Sequence, residues 1–330
     1  MSPRALLLVA LLPLAACGSV PLGDPDTALA RVQSHMTTQD FEDAAELGGV
    51  LTESEEADPK DRAEGAFLAG EAEMALGRDV KAFARYRYVL ENAPWSEHAL
   101  AIEKRLFEIG NRMLFGEEYS GWFDDRGRGV QALETLQAHF RSSDRADDAL
   151  KLVGDYFAGE DEFAEAALAY LRVADEYPDS EWAERSLWLA GRMRLLSAGG
   201  PQYDRNDLLR ARELLERSLR EHPSGVAAAQ ARDDLELTLE VLAACEVYAA
   251  DFYARRHVPA GEDVRLANAA LLFPTTESDR RARARLEAKG IDVAALADDP
   301  SRQSIDKLKS TRPRWERERD SARARTEEQP

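Results

Sequence analysis

Glu117 and Glu118 stand side by side, with Tyr119 and Trp122 just after them. Two carboxylates beside stacking aromatic rings are what glycosidic hydrolysis uses, one as acid and the other as base or nucleophile. No catalytic domain of ordinary size follows the pair, so the residues do not carry that reading. The five histidines, His35, His98, His139, His222 and His257, show no i, i+4 pair and no zinc-ligand spacing. Gly127-Arg128-Gly129 has no strand before it and is no phosphate loop. The expectation is a non-enzymatic protein with no catalytic residue, no metal, no cofactor and no small-molecule substrate.

Cys17 closes the stretch Leu14-Ala15-Ala16-Cys17. An apolar run from Ala5 to Leu12 follows the positive charge of Arg4, the layout of an export signal and too short to span a bilayer. The stretch resembles a bacterial lipobox, in which small residues precede a cysteine that is lipidated and then becomes the new N-terminus. Residues 1–16 are therefore expected to be a lipoprotein signal peptide, with Cys17 the lipid attachment residue. Residues 17–26, which contain Pro21, Gly23 and Pro25, are read as a lipidated tether. Two or more acyl chains, at roughly 0.8 kcal/mol per buried methylene, make a stable anchor. Gly18 stands where an aspartate would signal retention, which favours the outer membrane, facing the periplasm. An acylated Cys17 leaves Cys245 without a partner in the chain, and its apolar surroundings predict a buried small hydrophobe.

Between tether and tail, the chain repeats. With Asp147 as position one, Val153 and Gly154 fall at seven and eight, Ala166 at twenty, Tyr170 at twenty-four and Pro178 at thirty-two. This is the spacing of a tetratricopeptide repeat, in which small residues at eight and twenty let two helices cross closely. From Ala63, Gly70, Ala82, Tyr86 and Pro94 fall in the same register. Weaker copies surround Phe41, Leu106 and Leu187, and an eroded last one surrounds Leu266. Two connections are longer than a bare repeat allows, one between Gly116 and Gly129 and one over residues 197–207. The fold expected over residues 27–290 is all-α, a tetratricopeptide-repeat superhelix of about five or six helix-turn-helix units. At His257, which stands where glycine is usual, the second helix is expected to begin late. Residues 291–330, charged and almost without apolar period, are read as a disordered tail.

Net charge is −19, which argues against a phosphate-binding surface and hence against nucleic acid. Stacked repeats offer a groove lined by the first helix of each unit, suited to a peptide or a partner helix. Glu73, Asp155 and Arg194 are groove candidates by position. Trp122, Phe123 and Tyr203 in the two long connections are either docking anchors or covers for their own repeats. Asp204 and Arg205 adjoin Tyr203 and join the candidate partner-binding set.

Three features together resemble a BamD-like outer-membrane lipoprotein: Leu14 to Cys17, the repeat ends Tyr177-Pro178-Asp179-Ser180 and His222-Pro223-Ser224, and Ala249 to Arg256. The insert Pro201-Gln202-Tyr203-Asp204-Arg205 is also similar to loops in some members. The resemblance implies a scaffold at the inner leaflet of the outer membrane that serves the assembly of β-barrel proteins, with outer-membrane assembly or envelope proteins as partners. The alternative expectation is a periplasmic adaptor in cell-wall or envelope coordination.

Overall fold

The computed structural model describes residues 23–116 and 125–294. Cys17, Glu117, Glu118, Trp122, Phe123, the signal segment and most of the expected tail lie outside the described residues. Every regular element among the described residues is an α-helix. Two compact units are present, divided between Ala149 and Leu150.

The first unit holds α1 (Pro25–Thr38), α2 (Phe41–Glu53), α3 (Pro59–Ala75), α4 (Asp79–Asn92), α5 (Ala99–Phe115) and α6 (Arg126–His139). Successive helices pair as antiparallel hairpins, and they approach closely at Gly70, where the repeat register puts a small residue, and also at Gly48 and Gly65, where it does not. A Cβ on Gly70 would lie 2.6 Å from the Tyr86 ring, and one on Gly48 would lie 2.8 Å from the Gly65 carbonyl. The core between these helices is made of Ala66, Ala69, Ala82, Tyr86 and Val89, then Ile102, Leu106, Ile109 and Leu136 further along.

The second unit contains most of α7 (Ala146–Gly159), then α8 (Phe163–Glu176), α9 (Ala183–Ser197) and α10 (Asn206–Glu221). It continues through α11 (Ala228–Arg255), α12 (Pro259–Leu272) and α13 (Glu277–Ala288). Gly154 faces Tyr170 here as Gly70 faces Tyr86 in the first unit, with a notional Cβ 2.7 Å from the ring. α13 is an element that the repeat register does not foresee. Thr276 opens it, its hydroxyl accepting from the Asp279 N–H at 2.9 Å, and Ala282 and Leu286 bury against Leu266, Ala269 and Ala270. Ile291 and Val293 pack on that same cluster, so the packed body runs past the boundary expected at residue 290.

The turns explain how the hairpins close. Gln39, Gly77, Asp161 and His257 all take left-handed backbone, with φ of 63, 70, 59 and 56°. In each, the next residue's N–H bonds the carbonyl five positions back: Asp40 to His35, Arg78 to Glu73, Glu162 to Phe157 and Val258 to Tyr253, at 2.8–3.0 Å. That is the Schellman closure of a helix. The expectation of a late second helix after His257 is overturned, since α12 begins at Pro259, two residues on, as α2, α4 and α8 do after their own turn residues. Proline at the start of the helix has no N–H to waste there, and its fixed φ suits the first turn.

A second recurrent device joins one hairpin to the next. After α4, α6 and α8, Ser96, Ser143 and Ser180 each accept from the N–H two residues on, at 3.0–3.2 Å. An acidic residue from an earlier helix reaches these junctions. Glu64 meets the His98 Nε2 at 2.7 Å, with the His98 ring stacked on Phe67 at 3.8 Å, and Glu103 accepts from the Ser143 hydroxyl. Before α13, Glu240 accepts from the Glu277 N–H at 2.6 Å and from the Ser278 hydroxyl at 2.6 Å.

Candidate functional site

The longer α9–α10 connection places three of the expected partner-binding residues. Tyr203 covers Gly199, where a Cβ would meet its ring at 2.7 Å, yet the side chain stays 63% exposed. The ring thus packs on its own loop at one side and faces solvent at the other. Asp204, itself exposed, meets the start of α10, accepting from the Asn206 N–H at 3.1 Å and from the Asn206 side-chain amide at 2.8 Å. Arg205 crosses to α11, where its guanidinium donates to Glu246 Oε1 at 2.6 Å.

Glu246 is buried and is the charged centre of the second unit. Its other oxygen accepts from Arg265 at 3.1 Å and from the Asn268 amide at 3.1 Å, so α11, α12 and the α9–α10 connection meet on one carboxylate. An isolated buried carboxylate would be costly, and two guanidinium donors with an amide offset that cost. Arg205 is thus tied into the fold, and the loop is held at its far end by Arg194 and Ser197, which both donate to Asp207 at 3.2 Å.

The groove candidates are likewise engaged. Glu73 is buried beside Arg78 at 3.6 Å and Lys81 at 3.9 Å, and Arg194 is buried against Asp207. Asp155 accepts from the Tyr170 hydroxyl at 2.7 Å and from Lys151, whose ammonium also lies 4.8 Å over the Trp182 ring. Tyr86 donates to Glu71 at 2.6 Å in the same register, and Arg105 grips both oxygens of that carboxylate. Burial first, and then the facing carboxylate, push the Tyr86 and Tyr170 hydroxyls well above the usual phenol range, so both remain proton donors. Burial also pushes the Cys245 thiol up. This cysteine is half-buried at the edge of the cluster formed by Leu195, Leu208, Leu242 and Phe273.

Sequence reasoning passed over the exposed face of α11. Leu237, Tyr248 and Phe252 are 52, 49 and 42% exposed, with half-buried Val241 and Ala244 between them. At 100° per residue these five share one face, opposite the buried Leu242, Ala243, Glu246 and Ala250. Arg256 lies 4.6 Å over the Phe252 ring and leaves a cation-capped aromatic at the C-terminal end of the stripe. The apolar excess of this helix is legible in the sequence. Which half of that excess the neighbouring helices leave uncovered is not.

Chemically, the arrangement is an exposed face of aromatic and aliphatic side chains on one helix, with Glu246 beneath it committed to Arg205, Arg265 and Asn268. Among the described residues, no group of three or more His, Cys, Asp and Glu could hold a metal ion, and no helix is long and apolar enough to cross a membrane. A family model described as outer membrane lipoprotein, YfiO, matches residues 123–292. Among solved structures, the C-terminal part of a TPR repeat-containing protein from Cytophaga hutchinsonii is similar at 14% identity, over 78% of this chain and 87% of its own, with a TM-score of 0.30. No curated protein matches the chain.

Proposed function

The chain belongs to the YfiO family of outer membrane lipoproteins, and from that premise we propose that it is a non-enzymatic scaffold, anchored through acylated Cys17 at the periplasmic face of the outer membrane. Its tetratricopeptide hairpins hold partner proteins of the envelope, in the first place those that assemble β-barrel proteins into that membrane. The observation that carries this reading is the exposed stripe of Leu237, Tyr248 and Phe252 on α11, inside the matched span. Aromatic side chains on a rigid support lose little rotamer freedom on docking, which suits them to be anchors of a protein interface. Tyr203 adds a second exposed ring, on the loop whose next residues are fixed to α11 through Arg205 and Glu246.

Affinity capture of the lipidated protein from solubilised membranes tests the proposal. Recovery of a β-barrel assembly component, reduced when Tyr248 and Phe252 are both changed to alanine, is the expected result. Recovery of peptidoglycan-associated proteins alone would instead support the adaptor reading, in which the same surface serves cell-wall coordination. Capture indifferent to the double change would remove α11 from the interface.

A further inference from the structure

A groove of about 790 Å³ runs between the first half of α11 and the turn that joins α12 to α13. Leu235, Leu237, Leu239 and Pro274 give it an apolar share of its lining, and of the three leucines Leu237 is the exposed one, at 52%. Its rim is acidic. Glu240 is committed to the start of α13, where it accepts from the Glu277 N–H and the Ser278 hydroxyl, and the rim cations Arg232 and Arg280 are engaged with the Pro223 carbonyl and Glu277. Asp233 and Glu236 are exposed on the same rim. What fits is a segment that carries cations on both sides of one large apolar group.

The chain itself contains such a segment. Residues 307–319 read KLKSTRPRWERER, with six basic residues against two acidic ones and with Trp315 as the one aromatic residue. The chain as a whole carries a net charge of −19, so this basic cluster runs against the general trend. We propose that residues 307–319 dock in the α11 groove of their own molecule, with Trp315 over Leu237 and with Lys307, Lys309 and the flanking arginines against Asp233 and Glu236.

Reach does not forbid the arrangement. The groove lies at the start of α13 and the described chain ends beyond its far end, a separation of about 18 Å for the 12 residues of that helix. Twelve residues lie between Ala294 and Lys307, and at roughly 3.3 Å each they span about 40 Å when extended. Tethering also raises the local concentration of the segment into the millimolar range, so even a weak contact is populated. A partner that offers a basic, tryptophan-bearing segment of the same kind would have to displace the chain's own.

A zero-length cross-linker that joins amines to carboxylates, applied to the full chain and read by mass spectrometry, tests this. The expected product joins Lys307 or Lys309 to Asp233 or Glu236 within one molecule. Its yield should fall about tenfold in Leu237→Ser and in Trp315→Ala, the loss expected when one large apolar side chain is no longer buried. Neither change removes a reacting group; Leu237 is exposed, and Trp315→Ala leaves every described contact in place. The proposal is overturned if the yield is unchanged in both variants, or if the lysines join carboxylates scattered over the body. It is equally overturned if, in a mixture of isotopically distinct copies, the links form only between molecules.

Discussion

Gly154 shows how much one atom decides here. A Cβ at this position would lie 2.7–3.1 Å from three atoms of the Tyr170 ring, whose hydroxyl is fixed on Asp155 and cannot easily give way. Gly154→Ala should therefore cost about 1–3 kcal/mol in denaturant unfolding, the usual penalty for overpacking. Gly159, on the same helix with nothing within 4 Å of its notional Cβ, is the control. There, alanine should raise stability by about 0.5–1 kcal/mol, because the unfolded chain loses freedom and the helix gains propensity. Glu71 makes a second residue-scale prediction. Burial pushes its carboxyl up, but the hydrogen bonds from Arg105 and Tyr86 outweigh burial and hold it below the usual carboxylate range. A lowered folded value means that the stabilisation is present above about pH 4.5 and is lost as pH falls through that folded value. Glu71→Gln should flatten the loss of stability as pH falls below the usual carboxylate range, and acid titration of unfolding free energy in the two proteins would show it. The glycine at position eight and its tyrosine are both legible in the sequence, since they lie in one repeat. The grip of Arg105 on Glu71 is not, because Arg105 comes from the following hairpin.

At the scale of elements, the junctions between hairpins carry the more informative tests. Ser96, Ser143 and Ser180 each hold the N–H two residues on. In the fifth hairpin the same place is taken by Gly225, and the Ala227 N–H is held instead by Glu184 Oε1 at 3.0 Å. A Cβ on Gly225 would overlap that carboxylate, so glutamate and glycine form one matched pair. Glu184→Ala should cost about 1 kcal/mol, as loss of a capping acceptor does. Gly225→Ser alone should cost about 1–3 kcal/mol by overlap. Together the changes place a serine acceptor where Ser96, Ser143 and Ser180 have theirs and remove the carboxylate it would overlap, and the double variant should be more stable than the sum of the single costs by about 0.5–3 kcal/mol in a thermal or urea melt. The hairpin turns allow a simpler prediction. His257 at φ 56° bears the cost of a left-handed side-chain residue, and His257→Gly should raise stability by about 0.5–1 kcal/mol after the entropy of glycine is deducted. The sequence suggested an irregular turn at His257. The bond from Val258 to Tyr253 makes it the same turn as the others, because backbone closure requires a conformation and only favours a residue type.

For the whole molecule, the anchor is the first thing to test. Cys17→Ala should move the protein from the membrane pellet to the soluble fraction after cell fractionation, because the acyl chains on Cys17 are the anchor proposed for it. Retention in the pellet would contradict the acyl anchor. What the sequence determined by itself was the repeating unit, the helical class and the close helix crossings at Gly70 and Gly154. These depend on residues within one 34-residue period, where spacing along the chain translates directly into a face of a helix. It could not determine what lies between periods. That Glu246 would gather Arg205, Arg265 and Asn268 from 19 to 41 residues away was settled by how successive hairpins stack. The same stacking left Leu237, Tyr248 and Phe252 uncovered while their neighbours on α11 were buried, and it added α13 as a last covering helix. The reason is physical: within a hairpin, contacts follow from helical periodicity, but between hairpins they follow from side-chain volumes and charges that meet only once the chain has packed.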